Sequence, residues 1–156
     1  MAEKCALEGK KWVVENYTGK KDLEVTVEKG QSVYIYNLKD CVVQLKGKVT
    51  TLSADKVSKS GIVFENCIGS AEFINCSRIQ VQGSAPAYQI DKTEGVTLFL
   101  TPNDYDAQII TSQATEVNIT VLEEGKEPKE DPIPSQFMTT YKNGKWVTGP
   151  VDHVGA

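Results

Sequence analysis

The chain predicts an all-β solenoid, a parallel stack of coils built from short strands. Three observations predict it. Val (17), Ile (10) and Thr (13) supply about a quarter of the 156 residues, and such side chains, stiff at χ1, favour strands. The apolar runs are only three to five residues long, and long stretches with the 3.6-residue helical period are absent. Asn, Asp or Thr follows these runs at a recurring interval near 18 residues.

In chain order, the segment 7–22 with Trp12 is expected to cover one end of the stack, because a solenoid has open edges that need caps. The strand arms then run Leu23–Val27, Val33–Tyr36, Val43–Leu45, Ile62–Phe64, Ile79–Val81, Val96–Leu100 and Val117–Val121. The punctuating residues are Asn37, Asp55, Asn75, Asp91 and Thr111, separated by 18, 20, 16 and 20 residues. Asn, Asp and Thr suit such corners because their side chains bond nearby backbone groups. Two short arms per period fit one coil, and stacking buries the apolar positions in a continuous column. The expected inward set is Val25, Ile35, Leu45, Leu52, Val63, Ile74, Val81, Ile90, Leu98, Ile109 and Ile119. An antiparallel sandwich has similar strand lengths, and the drifting interval keeps it as the alternative.

Beyond the coils, residues 123–134 (EEGKEPKEDPIP) are charged, Pro-rich and apolar-poor, and are expected to be a linker. The segment 135–156 then offers Phe137–Tyr141 and Trp146–Thr148 around Asn143-Gly144, a strong hairpin signal because a type I′ turn wants positive φ at both central positions. A lone hairpin is marginal. This one, carrying Phe137, Met138, Tyr141, Trp146 and Val147, must pack on its own last coil or cross to a second subunit.

The composition (40% apolar, 24% charged, net charge −4) fits one folded domain. No run approaches the roughly 18 apolar residues of a membrane helix, and MAEKCALEGKKW lacks the apolar stretch of a signal peptide, so a cytoplasmic protein without membrane insertion is expected. The acidic balance argues against nucleic acid as partner. Cys5, Cys41, Cys67 and Cys76 form no CxxC, and His153 is the single histidine, so no metal site is expected. Cys41, Cys67 and Cys76 read as reduced and buried.

No phosphate-cradling loop, GxSxG or Cys/His pair occurs. The carboxylate pairs Asp22/Glu24, Glu65/Glu72, Asp91/Glu94 and Asp104/Asp106 are in principle the raw material of sugar chemistry, but read as solvated surface charge. No catalytic residue, cofactor or enzyme activity is expected. Lys39, Lys46, Lys48, Lys56 and Lys59 fall on neighbouring coils, where residues one period apart approach to about 5 Å. They are either scattered solvated lysines or a patch that attracts an acidic partner.

The segments LEGKKWVVEN (7–16), SVYIYNLKDCVVQLKGKV (32–49), GIVFEN (61–66), AEFINCSRIQVQ (71–82), YQIDKTEGVTLFL (88–100) and PIPSQFMTTYKNGKWVT (132–148) resemble, in collinear order, the C-terminal domain of cyclase-associated proteins. The resemblance implies a right-handed parallel β-helix and a homodimer formed by exchange of the C-terminal hairpin. It implies binding to actin monomers, ADP-actin preferred, and promotion of ADP-to-ATP exchange on actin. It also implies an association with the cytoskeleton. The contacts it points to are the lysine face (Lys46, Lys48, Lys56 and Lys59) and the tail (Val151, Asp152, His153 and Val154). The helical domain, proline tracts and WH2 segment of full-length family members are missing from the sequence. Met1 running directly into the domain points to a naturally short protein that keeps monomer recycling only. Three other readings remain: a monomer-sequestering actin binder, a carbohydrate-binding β-helix, and a tubulin-cofactor-like module in a GTPase cycle. The last would need a catalytic arginine, for which Arg78 is the sole candidate.

Overall fold

Residues 1–151 are described by a computed structural model. The strands are β1 (Lys4–Glu8), β2 (Lys11–Thr18), β3 (Leu23–Thr26), β4 (Ser32–Lys39), β5 (Val42–Val49), β6 (Leu52–Cys67), β7 (Ser70–Ile74), β8 (Ser77–Ser84), β9 (Ala87–Asp91), β10 (Glu94–Leu100), β11 (Gln108–Ser112), β12 (Thr115–Val121), β13 (Lys129–Pro132), β14 (Phe137–Lys142) and β15 (Lys145–Pro150). From β2 to β12 every pairing between coils is parallel. That excludes the antiparallel sandwich and makes the fold a β-solenoid. One face stacks β2, β4, the first part of β6, β7, β9 and β11. The other stacks β3, β5, the second part of β6, β8, β10 and β12. The register gives the coil length directly: Trp12 lies opposite Val33, 21 residues on, Val33 opposite Leu52, 19 on, and Ile79 opposite Val96, 17 on.

The corner between the faces has one recurring backbone device. Two residues three apart take positive φ in every coil: Asn16 and Gly19, Asn37 and Asp40, Lys56 and Lys59, Asn75 and Arg78, Lys92 and Gly95, Gln113 and Glu116. The left-handed conformation costs a non-glycine residue roughly 1–2 kcal/mol, Asn and Asp tolerate it better than most, and side-chain hydrogen bonds tie two of the corners to the coil before. Asn37 Nδ2 donates to Asn16 Oδ1 at 2.8 Å, and Asn75 Nδ2 to Asp55 Oδ1 at 3.3 Å. The sequence-read corners therefore fall at the bend or within two residues before it. From the second pair on, the bend turns the chain sharply enough that the residues after its two members both point inward, as Leu38 and Cys41, Val57 and Ser60, and Cys76 and Ile79 do, whereas Lys20, after Gly19 on the first coil, is exposed.

The interior is one column from Val14 to Val117. Leu52, Ile62 and Leu98 are fully buried. A buried side chain of this size contributes roughly 1.5–3 kcal/mol through removal from water. Val25, Ile35, Leu45, Val81 and Ile90 point inward as expected. Val63 and Ile74 do not. Ile62 and Phe64 take the inward places beside Val63, and Phe73 takes the one beside Ile74, because the register is set by the neighbouring coils and a one-residue slip reverses faces. Ile109 and Ile119, on the last coil, are only partly covered. Cys41, Cys67 and Cys76 are buried as free thiols. Buried hydroxyls accept the amides left over at the corners: Cys41 N–H donates to Ser60 Oγ at 3.0 Å and Cys76 N–H to Thr93 Oγ1 at 3.2 Å.

Both ends are closed by antiparallel strands. At the first end β1 pairs with β2, and the half-buried Trp12 indole donates to Gln31 Oε1 at 2.9 Å. At the other, part of the polar segment expected as linker forms β13 and pairs with β12. The hairpin β14–β15 forms a separate two-stranded sheet. Asn143 and Gly144 have φ of 50° and 82°, and the Tyr141 and Trp146 rings meet edge to face at 5.2 Å.

A Cβ at Gly47 (φ +96°) would lie 2.3 Å from the Val27 carbonyl oxygen, whereas at Gly30 (φ +87°) it would meet open space. Gly30→Ala is expected to cost about 1 kcal/mol for the backbone conformation alone, and Gly47→Ala at least about 2 kcal/mol more through the steric clash. Urea unfolding of the two variants checks this. Burial raises the Cys76 thiol from 9.0 to about 11. A raised folded-state pKa stabilises below the unfolded value and loses that contribution as pH rises. Unfolding free energy measured against pH is expected to fall between pH 9 and about 11, and Cys76→Ser to flatten that fall.

Candidate functional site

Among the described residues no group of three or more His, Cys, Asp and Glu side chains is arranged to hold a metal ion. The carboxylates tested as pairs have structural or surface surroundings. Asp22 pairs with Lys20 at 3.4 Å and Glu24 with Lys46 at 2.8 Å. Glu65 accepts the Gly47 N–H at 3.0 Å. Asp104 is buried, accepts from the Ser84 hydroxyl and from the Thr101 N–H, and closes the capping box of the 3₁₀ turn Pro102–Asp104. Arg78 is exposed at its corner, beside a shallow groove lined by Gln80, Thr97, Glu116 and Asn118.

The lysines divide into two groups. Lys46 and Lys48 project from β5 on the second face, flanking Gly47 where the ladder to β6 shifts register. Glu24 beside Lys46 strengthens its hold on its proton. Lys56 and Lys59 sit at the left-handed corner itself. Lys56 Nζ lies 5.7 Å from the centre of the Tyr36 ring. Lys39, one coil below, is opposite Ser58. Next to it Asp40 is paired with Lys21, which holds its carboxyl below the usual range. Corner charge is thus partly compensated, leaving Lys56 and Lys59 outside the described ion pairs.

Val151 is half-buried, donates its N–H to the Gln136 carbonyl at 3.1 Å, and joins Pro132, Ile133 and Pro134 in a groove at the base of the hairpin. Asp152, His153 and Val154 lie outside the described residues. Of the five hairpin residues singled out, all remain exposed in the single chain: Phe137 57%, Met138 55%, Tyr141 56%, Trp146 72% and Val147 39%.

On the first face the outward positions run in two rows across the coils. One contains Tyr34, Ser53, Glu72, Gln89 and Ile110, the other Tyr36, Asp55, Ile74, Asp91 and Ser112. Between them lies a groove of about 320 Å³. The signal was available for Tyr34 and Tyr36, since alternation around Ile35 turns both outward. It was missed for Ile74, which had been assigned to the core.

The chain matches, over residues 1–153, the family described as adenylate cyclase associated (CAP) C terminal. Cyclase-associated protein 1 of Arabidopsis thaliana is 40% identical over 155 residues, covering 95% of this chain and 32% of the relative. Adenylyl cyclase-associated protein 2 of Homo sapiens is 38% identical over 149 residues, covering 94% and 31%. The chain therefore spans about a third of the length of these relatives. The crystal structure of the cyclase-associated protein from Cryptosporidium parvum superposes with a TM-score of 0.86 at 23% identity, covering 97% of this chain and 96% of that one, a likeness of fold. Matched over nearly its whole length in sequence and sharing the solenoid, the chain belongs to the C-terminal domain family of the cyclase-associated proteins.

Proposed function

We propose that this domain binds actin monomers, prefers the ADP-bound form, and promotes replacement of ADP by ATP, so that monomers released from filaments are recycled. The observation that carries the reading is the family match over residues 1–153, because the resemblance to that family implies binding to actin monomers. The architecture supports it: the functional resource is broad surface on a stiff scaffold, which suits a protein partner better than a small substrate. The protein contributes no covalent chemistry in this reading. It accelerates exchange by binding more tightly to an actin state whose nucleotide cleft is loosened, since a ligand shifts an equilibrium only by its differential affinity. The location that follows is the cytoplasm, with the cytoskeleton.

The contact is proposed at Lys46, Lys48, Lys56 and Lys59 together with the tail Val151, Asp152, His153 and Val154. Lys56 and Lys59, at a projecting corner, act at the contact. Lys46 and Lys48, on the second face and partly compensated by Glu24, act at longer range on association. The active form is proposed to be a homodimer in which the hairpin crosses to the second subunit. Its support is the exposure of Phe137, Met138, Tyr141, Trp146 and Val147 in the single chain, more apolar surface than an isolated hairpin keeps in water. A dimer offers two equivalent faces and so holds two monomers.

Release of a fluorescent nucleotide from ADP-actin monomers tests the reading. Titration with this protein is expected to accelerate release; slowed release with evident binding would make it a sequestering protein, and no effect with no binding would end the actin reading. Lys46→Gln with Lys48→Gln is expected to lower the association rate roughly three- to tenfold at low salt and to flatten its salt dependence, read by stopped flow. Phe137→Ser with Trp146→Ser is expected to convert a dimer into a monomer in sedimentation equilibrium at micromolar concentration, while the thermal midpoint of the solenoid moves by only a few degrees.

A further inference from the structure

We infer that strand β1, the free edge at the first end of the solenoid, pairs antiparallel with β1 of a second copy of this chain, about a two-fold axis at Ala6. The contact is separate from the hairpin and does not depend on the actin reading.

β1 ends the strand order of the large sheet, and among the described residues it pairs only with β2. Such an edge leaves a row of N–H and C=O groups that accepts another strand. It is also uncovered: Leu7 is 42% exposed and Cys5 is exposed. In an antiparallel pair, alternate residues turn their hydrogen-bonding groups to the same neighbour. A ladder between two copies of one edge therefore sets residues of like parity opposite each other, which centres the two-fold axis on a residue. Within Lys4–Glu8, only Ala6 as the centre leaves no residue unmatched. Lys4 then faces Glu8 of the second copy, twice by symmetry, and Cys5 faces Leu7. The register with β2 extends these rows, since Lys4, Cys5, Ala6, Leu7 and Glu8 lie opposite Glu15, Val14, Val13, Trp12 and Lys11. Across the junction one row reads Glu15, Lys4, Glu8, Lys11 and alternates in sign. The next reads Val14, Cys5, Leu7, Trp12, and the central one Val13, Ala6, Ala6, Val13. Opposite-charge and apolar cross-strand pairs favour pairing, and like charges oppose it. Parallel pairing in register would set Lys4 against Lys4 and Glu8 against Glu8. Centring on Cys5 or Leu7 would set a charge against Ala6. In the single chain Lys4 and Glu8 turn to each other along the strand; in the pair each gains an opposite charge directly across. A five-residue strand buries less than the roughly 1,200 Å² of a stable interface, so the contact is weak alone. It is strengthened between chains already joined through the hairpin, which follows β13 at the other end of the stack.

Cysteine cross-linking of the full chain tests both the pairing and its register. Ala6→Cys, in a chain with Cys5→Ser, places two thiols at the axis, where directly opposite Cα atoms lie about 4.5–5.5 Å apart, within disulfide reach. Lys4→Cys in the same background places them about 14 Å apart, beyond it. With copper phenanthroline as oxidant, disulfide-linked dimer is expected to form at least roughly tenfold faster from position 6 than from position 4. Adding either Lys4→Glu or Glu8→Lys to the Ala6→Cys chain sets like charges across the junction and is expected to slow linking several-fold. Mixing those two variants is expected to restore it, because each then meets its complement. Equal rates from positions 4 and 6, or a mixture that links no faster than either variant alone, would overturn the pairing; the actin reading stands in either case.

Discussion

The structure depends on the pair of left-handed residues that turns each coil at one corner. Strand ladders between coils require every coil to return to the same place, and a sharp, repeated bend allows short strand arms to do so. The bend also sets the inward column, because from the second coil on the residues following its two members point into the core. Lengthening a coil elsewhere is tolerated. The coils run from 17 to 21 residues by register, the variation being absorbed in the return turns, and the largest of these, before β11, contains the 3₁₀ turn capped by Asp104. Strain of order 1–2 kcal/mol at each non-glycine corner residue is offset by burying the column.

Much of this was legible in the sequence. Short β-branched runs separated by Asn and Asp gave the architecture, and Asn143-Gly144 gave the hairpin and its turn. The phase was legible where apolar and polar residues alternate, as around Ile35, Leu45 and Leu98. It failed at Ile62-Val63-Phe64 and at Phe73-Ile74, where apolar residues adjoin and alternation carries no information. There the neighbouring coil decides, and Phe64 and Phe73 fill the column while Val63 and Ile74 do not. The strand Lys129–Pro132 was unreadable for a different reason. It is charged and holds a proline, and it pairs only because β12 offers it an edge, which no local preference predicts.

The same distinction governs the surface. Lysines one period apart read either as scattered solvated side chains or as one patch, and in the fold they separate into a pair on β5 and a pair at the corner. Sequence interval identifies rungs, whereas membership of a face also depends on where along the coil a residue falls. That is why the acidic and aromatic surface on the first face became visible only once Ile74 was seen to point outward.

The account treats the domain as a rigid platform that acts on its partner through differences in binding. Such a mechanism is tested most directly by measuring dissociation constants for ADP-actin and ATP-actin monomers by calorimetry under identical salt and magnesium. The account predicts tighter binding to ADP-actin by at least about tenfold, a coupling of roughly 1.4 kcal/mol or more. Equal affinities would contradict it and leave a binder with no means of discarding the recharged monomer.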